Sequence, residues 1–240
     1  MDTIETIPNG VGFTHFGSLH LCWIIAGTVL VILNCIWYRR ADRRQRKLWR
    51  FVVAGLIVMD ELFKVVMLCV GGRYNLSYLP LHLCSINIFL IGIHAFKSYD
   101  ILSGFLYTVC LPGALSAILF PSWTSLPFGN FMHIHSFTIH ILLVMYPVVI
   151  VTSGEWKPYI RKMYRYFLLL VALAIPVCFI NILLDTNFMF LMDVDPGNPL
   201  YYFETIWGNH LWGFPVLISA VLIALYVPVE IFRYLRRKKI

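Results

Sequence analysis

Charge is scarce in this chain. Only 13% of its 240 residues are Asp, Glu, Lys or Arg, about half the usual share of a soluble domain. Acidic residues are the scarcer sign, 12 against 19 basic. The net charge of +7 collects in short stretches between apolar runs. No basic face exists outside them, so nucleic acid is not an expected partner. A cysteine framework is missing too: Cys22, Cys35, Cys69, Cys84, Cys110 and Cys178 all fall inside apolar runs, at no spacing suited to disulfides or a zinc knuckle. The first 17 residues lack a basic n-region and carry Asp2 and Glu5. The first apolar run ends in arginines, not at a small-residue cleavage site, which reads as a retained helix. Repeats, low-complexity segments and long linkers are absent, so residues 1–240 are expected to form a single integral membrane domain.

What is abundant is apolar surface. The chain is 60% hydrophobic with a mean hydropathy of +0.77, and runs of about 20 apolar residues recur. The fold class expected is all-α, a polytopic membrane bundle of about seven transmembrane helices. They are placed near 19–38, 51–70, 79–96, 101–120, 131–151, 164–184 and 209–232. All of the 19 lysines and arginines except Lys64 and Arg73 fall in the first, third and fifth loops or in the tail. The positive-inside rule makes those loops cytoplasmic, with the N-terminus outside and the C-terminus inside.

Helices in lipid are apolar nearly all round, so their polar residues are the informative ones. Each needs a partner there, and ionisable groups at membrane depth are functional candidates. In the expected topology every histidine but His94 falls in the outer half: His15, His20, His82, His133, His135, His140 and His210. Headgroup-depth placement explains the shallow ones. It fits His140 poorly, roughly two turns into its helix. The second helix adds Asp60, Glu61 and Lys64. Asp60 and Lys64 stand at i, i+4 and can pair, leaving a spare carboxylate that must find a His, a substrate group or a proton.

Helical spacing sorts the faces. His133, Ser136 and His140 form one stripe, with His135 turned away. Cys84 shares a face with Asn87, while His82 points nearly opposite. The expected constellation is Cys84 with His140, oriented by Asn87 or Ser136, with His20, His82, Glu61 and Lys64 as further substrate-binding or orienting candidates. Pro80 suits the first turn of the third helix, which would put Cys84 about one turn from a positive helix end. The dipole and an imidazole favour a thiolate there, and apolar surroundings oppose it. A Cys–His pair whose base is held by a third group is the pattern of an activated nucleophile.

At these residues the chain resembles the YwaF-type bacterial membrane family, itself similar to the eukaryotic transmembrane protein 164 acyltransferases. The resemblance runs through Leu79-Pro80-Leu81-His82-Leu83-Cys84, through the His-rich opening of the fifth helix on to Tyr146-Pro147, and through Asn187-Phe188-Met189-Phe190-Leu191. It implies a bacterial plasma-membrane acyltransferase that moves a fatty acyl chain between phospholipid and lysophospholipid. Cys84 would be the nucleophile and His140 the base, with His135 as the alternative base.

The outer position of the site adds a detail. Cytosolic acyl-CoA does not reach the outer leaflet, so a phospholipid is the expected donor, and water in place of the acceptor would make the enzyme a lipid esterase. The rival reading is a proton-coupled transporter or channel built on Asp60, Glu61 and Lys64, with Pro112-Gly113, Pro176 and Pro215 breaking helices around a cavity. A metal site at His133 and His135 is disfavoured, because i, i+2 side chains diverge and His133 lies about 10 Å along the axis from His140. No metal or other cofactor is therefore expected. A seven-helix receptor is suggested by span count alone.

Overall fold

The structure is a computed structural model that describes residues 3, 6, 7, 10–194 and 198–237. Asp2, Glu5, Asp195, Lys238 and Lys239, which enter the charge reading above, lie outside the described residues. The described elements are helical throughout: α1 Ser18–Arg40, α2 Arg43–Val70, α3 Leu83–Phe96, α4 Asp100–Leu119, α5 Phe131–Thr152, α6 Met163–Leu184, the short α7 Tyr201–Trp207 and α8 Gly213–Arg237.

Among the described residues six stretches are long and apolar enough to cross a membrane: Ser18–Arg40, Leu76–Phe96, Asp100–Leu119, Phe131–Thr152, Ile160–Leu184 and His210–Leu235. The remaining long helix, α2, packs against α3 and α5 but carries Asp60, Glu61 and Lys64 in its second half. It also starts earlier than the expected residue 51. Asp42 accepts the Gln45 N–H at 2.8 Å while the Gln45 side chain accepts the Asp42 N–H at 3.0 Å. This reciprocal cap extends the helix back through the arginines read as loop.

Position in the bundle follows burial. The most apolar stretches of α4 and α5 are 67% and 61% buried, against 11% for α1 and for Ile160–Leu184 and 6% for His210–Leu235. α4 and α5 are thus the inner helices, and α1, α6 and α8 turn most of their apolar side chains outward, as lipid contact requires. With no hydrophobic drive between helices in lipid, close packing carries the association. Gly104 of α4 lies so close to the Tyr166 ring of α6 that a Cβ there would overlap it. Midway along α4, residues Leu106–Cys110 form a π-helical turn. Pro112 follows; it has no N–H for the carbonyl four residues back, and the wider turn absorbs the misfit.

One end of the bundle gathers the basic loops. Arg39 donates to the Thr152 carbonyl, Arg46 pairs with Glu155 and Arg50 donates to Ser98. These contacts tie the first, third and fifth loops together. The Cys84 end of α3 lies at the other.

Candidate functional site

α3 begins later than Pro80 suggests. Leu76–Tyr78 form a 3-10 turn, the Leu81 N–H bonds the Leu79 carbonyl at 2.7 Å, and His82 is the N-cap, extended at φ −63°, ψ 150°. Pro80 therefore stands in the turn ahead of the helix, not in its first turn. Cys84 becomes the second residue of α3. The first ladder bond runs from the Ile86 N–H to the His82 carbonyl at 3.0 Å. Leu83, Cys84 and Ser85 thus hold N–H groups that precede the ladder, and these concentrate the positive end of the helix dipole at the sulfur.

α5 brings the imidazole. Its start is set by Asn130, whose side chain accepts the Met132 N–H at 2.8 Å, a standard N-cap. His140 lies about 15 Å further along the helix at 1.5 Å per residue. Its Nε2 stands 3.2 Å from Cys84 Sγ, and its Nδ1 stands 2.6 Å from the Ser136 carbonyl. A carbonyl only accepts, so Nδ1 carries the proton and Nε2 offers its lone pair to the thiol. The orienting group on Ser136 is therefore its backbone oxygen, not its hydroxyl. Trp123, from the loop between α4 and α5, stacks on the imidazole with ring centroids 5.3 Å apart and planes 15° apart. Cys84 and His140 are both half-buried.

The other candidates distribute as follows. Asn87 is buried on α3, and its Oδ1 has no protein partner. His82 packs edge-on to Phe188, centroids 5.1 Å apart. Phe188 belongs to a strap over the start of α3. Asn181 binds both the Phe188 N–H, at 2.8 Å, and its carbonyl, at 3.0 Å. His20 is fully occupied by the Phe16 N–H and the Ile118 carbonyl, at 2.9 and 2.7 Å, which ties α1 to α4 and keeps it out of the Cys84–His140 group.

The charged residues of α2 form a cluster against α5. Lys64 pairs with Glu61, not with Asp60 as the i, i+4 spacing suggested. Asp60 instead accepts from the Thr138 hydroxyl at 2.9 Å and lies 3.3 Å from His135 Nδ1. His135 Nε2 is 3.7 Å from Glu61. His135 therefore sits between two carboxylates, away from the sulfur. Among the described residues no group of three His, Cys, Asp or Glu stands where it could share a metal ion.

Residues missed in the sequence are Trp123, Thr138 and Asn181. The first lies on a loop, where periodicity is silent. The other two are polar residues in apolar helices, a signal that was present.

Compared with known proteins, residues 15–226 match the family model described as the TMEM164 family. The matched stretch runs from before α1 into α8 and includes Cys84, His140 and the Phe188 strap, and the chain belongs to the TMEM164 family. No curated protein and no solved structure matches it.

Proposed function

We propose that this TMEM164-family membrane protein is a Cys–His lipid acyltransferase that moves a fatty acyl chain between phospholipid and lysophospholipid. The observation that carries the reading is the 3.2 Å contact between Cys84 Sγ and His140 Nε2, with the far side of the ring held by the Ser136 carbonyl. This is the nucleophile, base and orienter arrangement of covalent acyl transfer.

In the first half-reaction Nε2 takes the thiol proton and the sulfur attacks the ester carbonyl carbon of a phospholipid. The S–C bond forms, the C–O bond breaks, and the lysolipid leaves with the proton from Nε2. In the second, an acceptor lysolipid hydroxyl gives its proton to Nε2, its oxygen forms the new C–O bond, the S–C bond breaks, and Nε2 returns the proton to the sulfur. The tetrahedral oxyanion in each half needs preorganised donors, and the N–H groups of Leu83, Cys84 and Ser85 are the nearest in sequence. Trp123 suits the same cycle, since an aromatic face over His140 stabilises the imidazolium between steps.

With the N-terminus outside, the pair faces the outer leaflet, so a phospholipid and not acyl-CoA serves as donor, and water as acceptor gives hydrolysis instead. The test is mass spectrometry of the purified protein after incubation with phospholipid. The expected product is a hydroxylamine-labile acyl group on Cys84, absent in Cys84→Ala and His140→Gln. Lipid conversion that persists undiminished in a folded Cys84→Ala protein refutes the reading.

A further inference from the structure

The basic end of the bundle divides its cations into two sets. Arg39 is bonded to the Thr152 carbonyl, Arg46 and Arg50 pair with Glu155, and Lys162 pairs with Asp100. These hold the loops together. Arg40, at the end of α1, and Arg43, Arg44 and Lys47, in the first turns of α2, do not. All four are exposed. Among the described residues their side chains enter no ion pair or hydrogen bond, and only Lys47 lies over a ring, 6.0 Å from the centre of Phe51. The single carboxylate between Arg40 and Lys47 is Asp42, and it is engaged in capping α2 through the Gln45 N–H. These four cations against one carboxylate leave three positive charges in excess.

Because the Asp42/Gln45 cap makes this stretch helical, Arg43 and Arg44 stand four and three residues from Lys47 on adjoining rows of α2. Like charges so spaced repel, and an external anion relieves them. The rest of the same face sets the depth at which that anion lies. Leu48, Val52, Gly55, Met59, Leu62 and Val66 follow Arg44 at steps of three and four, and all of them but the glycine are large apolar side chains at least half exposed. From Leu48 to Val66 the rise is about 27 Å at 1.5 Å per residue, close to the ~30 Å of a hydrocarbon core. Arg43, Arg44 and Lys47 therefore stand just beyond one end of a lipid-facing stripe, at the depth of lipid phosphates. Exposed apolar side chains directly beneath exposed cations suit an amphiphile, and not a free anion.

We infer that the elbow between α1 and α2 is a binding surface for an anionic phospholipid, its phosphate among Arg40, Arg43, Arg44 and Lys47 and its acyl chains along Leu48 and Val52. The surface is independent of the Cys84–His140 reading, from which it is separated by the length of the bundle.

The test is native mass spectrometry of the full chain in a neutral detergent, titrated with dioleoyl phosphatidylglycerol or dioleoyl phosphatidylcholine. The anionic lipid should be retained about fivefold more tightly or better. Arg44→Gln with Lys47→Gln should weaken its binding about tenfold or more, since each cation near a lipid phosphate is worth roughly fivefold. Lys157→Gln with Arg161→Gln removes the same charge from exposed residues of the fifth loop and should leave binding unchanged. Leu48→Gln, which keeps every charge, should weaken it too, and Cys84→Ala should not. Equal retention of the two lipids, or equal losses in the two double variants, overturns the proposal, the second because net charge alone would then account for binding. Displacement of the lipid by excess inorganic phosphate, or binding insensitive to Leu48→Gln, overturns it in favour of a soluble anion.

Discussion

The indole of Trp123 lies nearly parallel to the imidazole of His140, their centroids 5.3 Å apart. In the proposed cycle that contact matters only while the ring is charged, because an aromatic face attracts a cation far more than a neutral ring. Such contacts contribute about 0.5–2 kcal/mol, roughly 2- to 30-fold in rate. Trp123→Leu should therefore slow both acyl transfer and alkylation of Cys84 by iodoacetamide within that range, and Trp123→Phe should retain most of each. Equal rates in wild type and Trp123→Leu would show that the stacking is packing alone.

Much of the bundle was legible because a lipid-spanning helix needs a long apolar run, and α1, α5 and α6 fall within a few residues of those runs. α3 and α2 show where that reasoning stops. Pro80 is as compatible with a turn as with a helix start, and only the bond from the Leu81 N–H to the Leu79 carbonyl decides between them. In α2 the Asp42/Gln45 cap was visible in the sequence, but the run of arginines around it read as loop. The Cys84–His140 juxtaposition came from depth and helical face, which one periodicity supplies. Lys64 was harder, since i+3 and i+4 spacings both permit a pair. The position of Asp60 against Thr138 and His135 of α5 settled it, and that is a tertiary fact.

The pairing of Lys64 with Glu61 yields a stability prediction. Removing one partner of a buried pair leaves an uncompensated charge and costs on the order of 3 kcal/mol, whereas replacing both with apolar or neutral groups recovers much of the loss. Lys64→Met should lower the unfolding temperature in detergent, and Glu61→Gln combined with Lys64→Met should restore most of it. Strictly additive losses in that double-mutant cycle would mean the two side chains do not interact.

Gly104 should tolerate no side chain. A methyl group there runs into the Tyr166 ring, and relieving the overlap means separating α4 from α6 or displacing a fully buried tyrosine. Overpacking of this kind costs about 1–3 kcal/mol. Thermal unfolding of Gly104→Ala should show that loss, and Tyr166→Leu in the same chain should recover part of it, because the shorter side chain vacates the clash. Gly55 is the control, since a methyl group there would meet nothing within 4 Å. Gly55→Ala should be neutral or mildly stabilising, as in other exposed helix interiors.

The strap over α3 makes a local prediction. Met189 and Phe190 are consecutive non-glycine residues at φ 59° and 55°, a backbone region that L-residues occupy only when surrounding contacts enforce it. The enforcing contacts come from Asn181, which satisfies the Phe188 N–H and carbonyl and accepts the Thr186 hydroxyl at 3.1 Å. Asn181→Ala strands two buried backbone groups, at about 1–3 kcal/mol each. That exceeds what a short loop retains by itself, so the strap should open before the bundle does. Hydrogen exchange should rise across residues 186–192 with little change in α4 and α5. Once Phe188 leaves the His82 ring, the start of α3 loses its cover, and acyl transfer should fall even though Cys84 and His140 are intact. Unchanged exchange in 186–192 would place the restraint on the strap elsewhere than Asn181, in the packing of Phe188 against Leu79, Leu81 and Ile86.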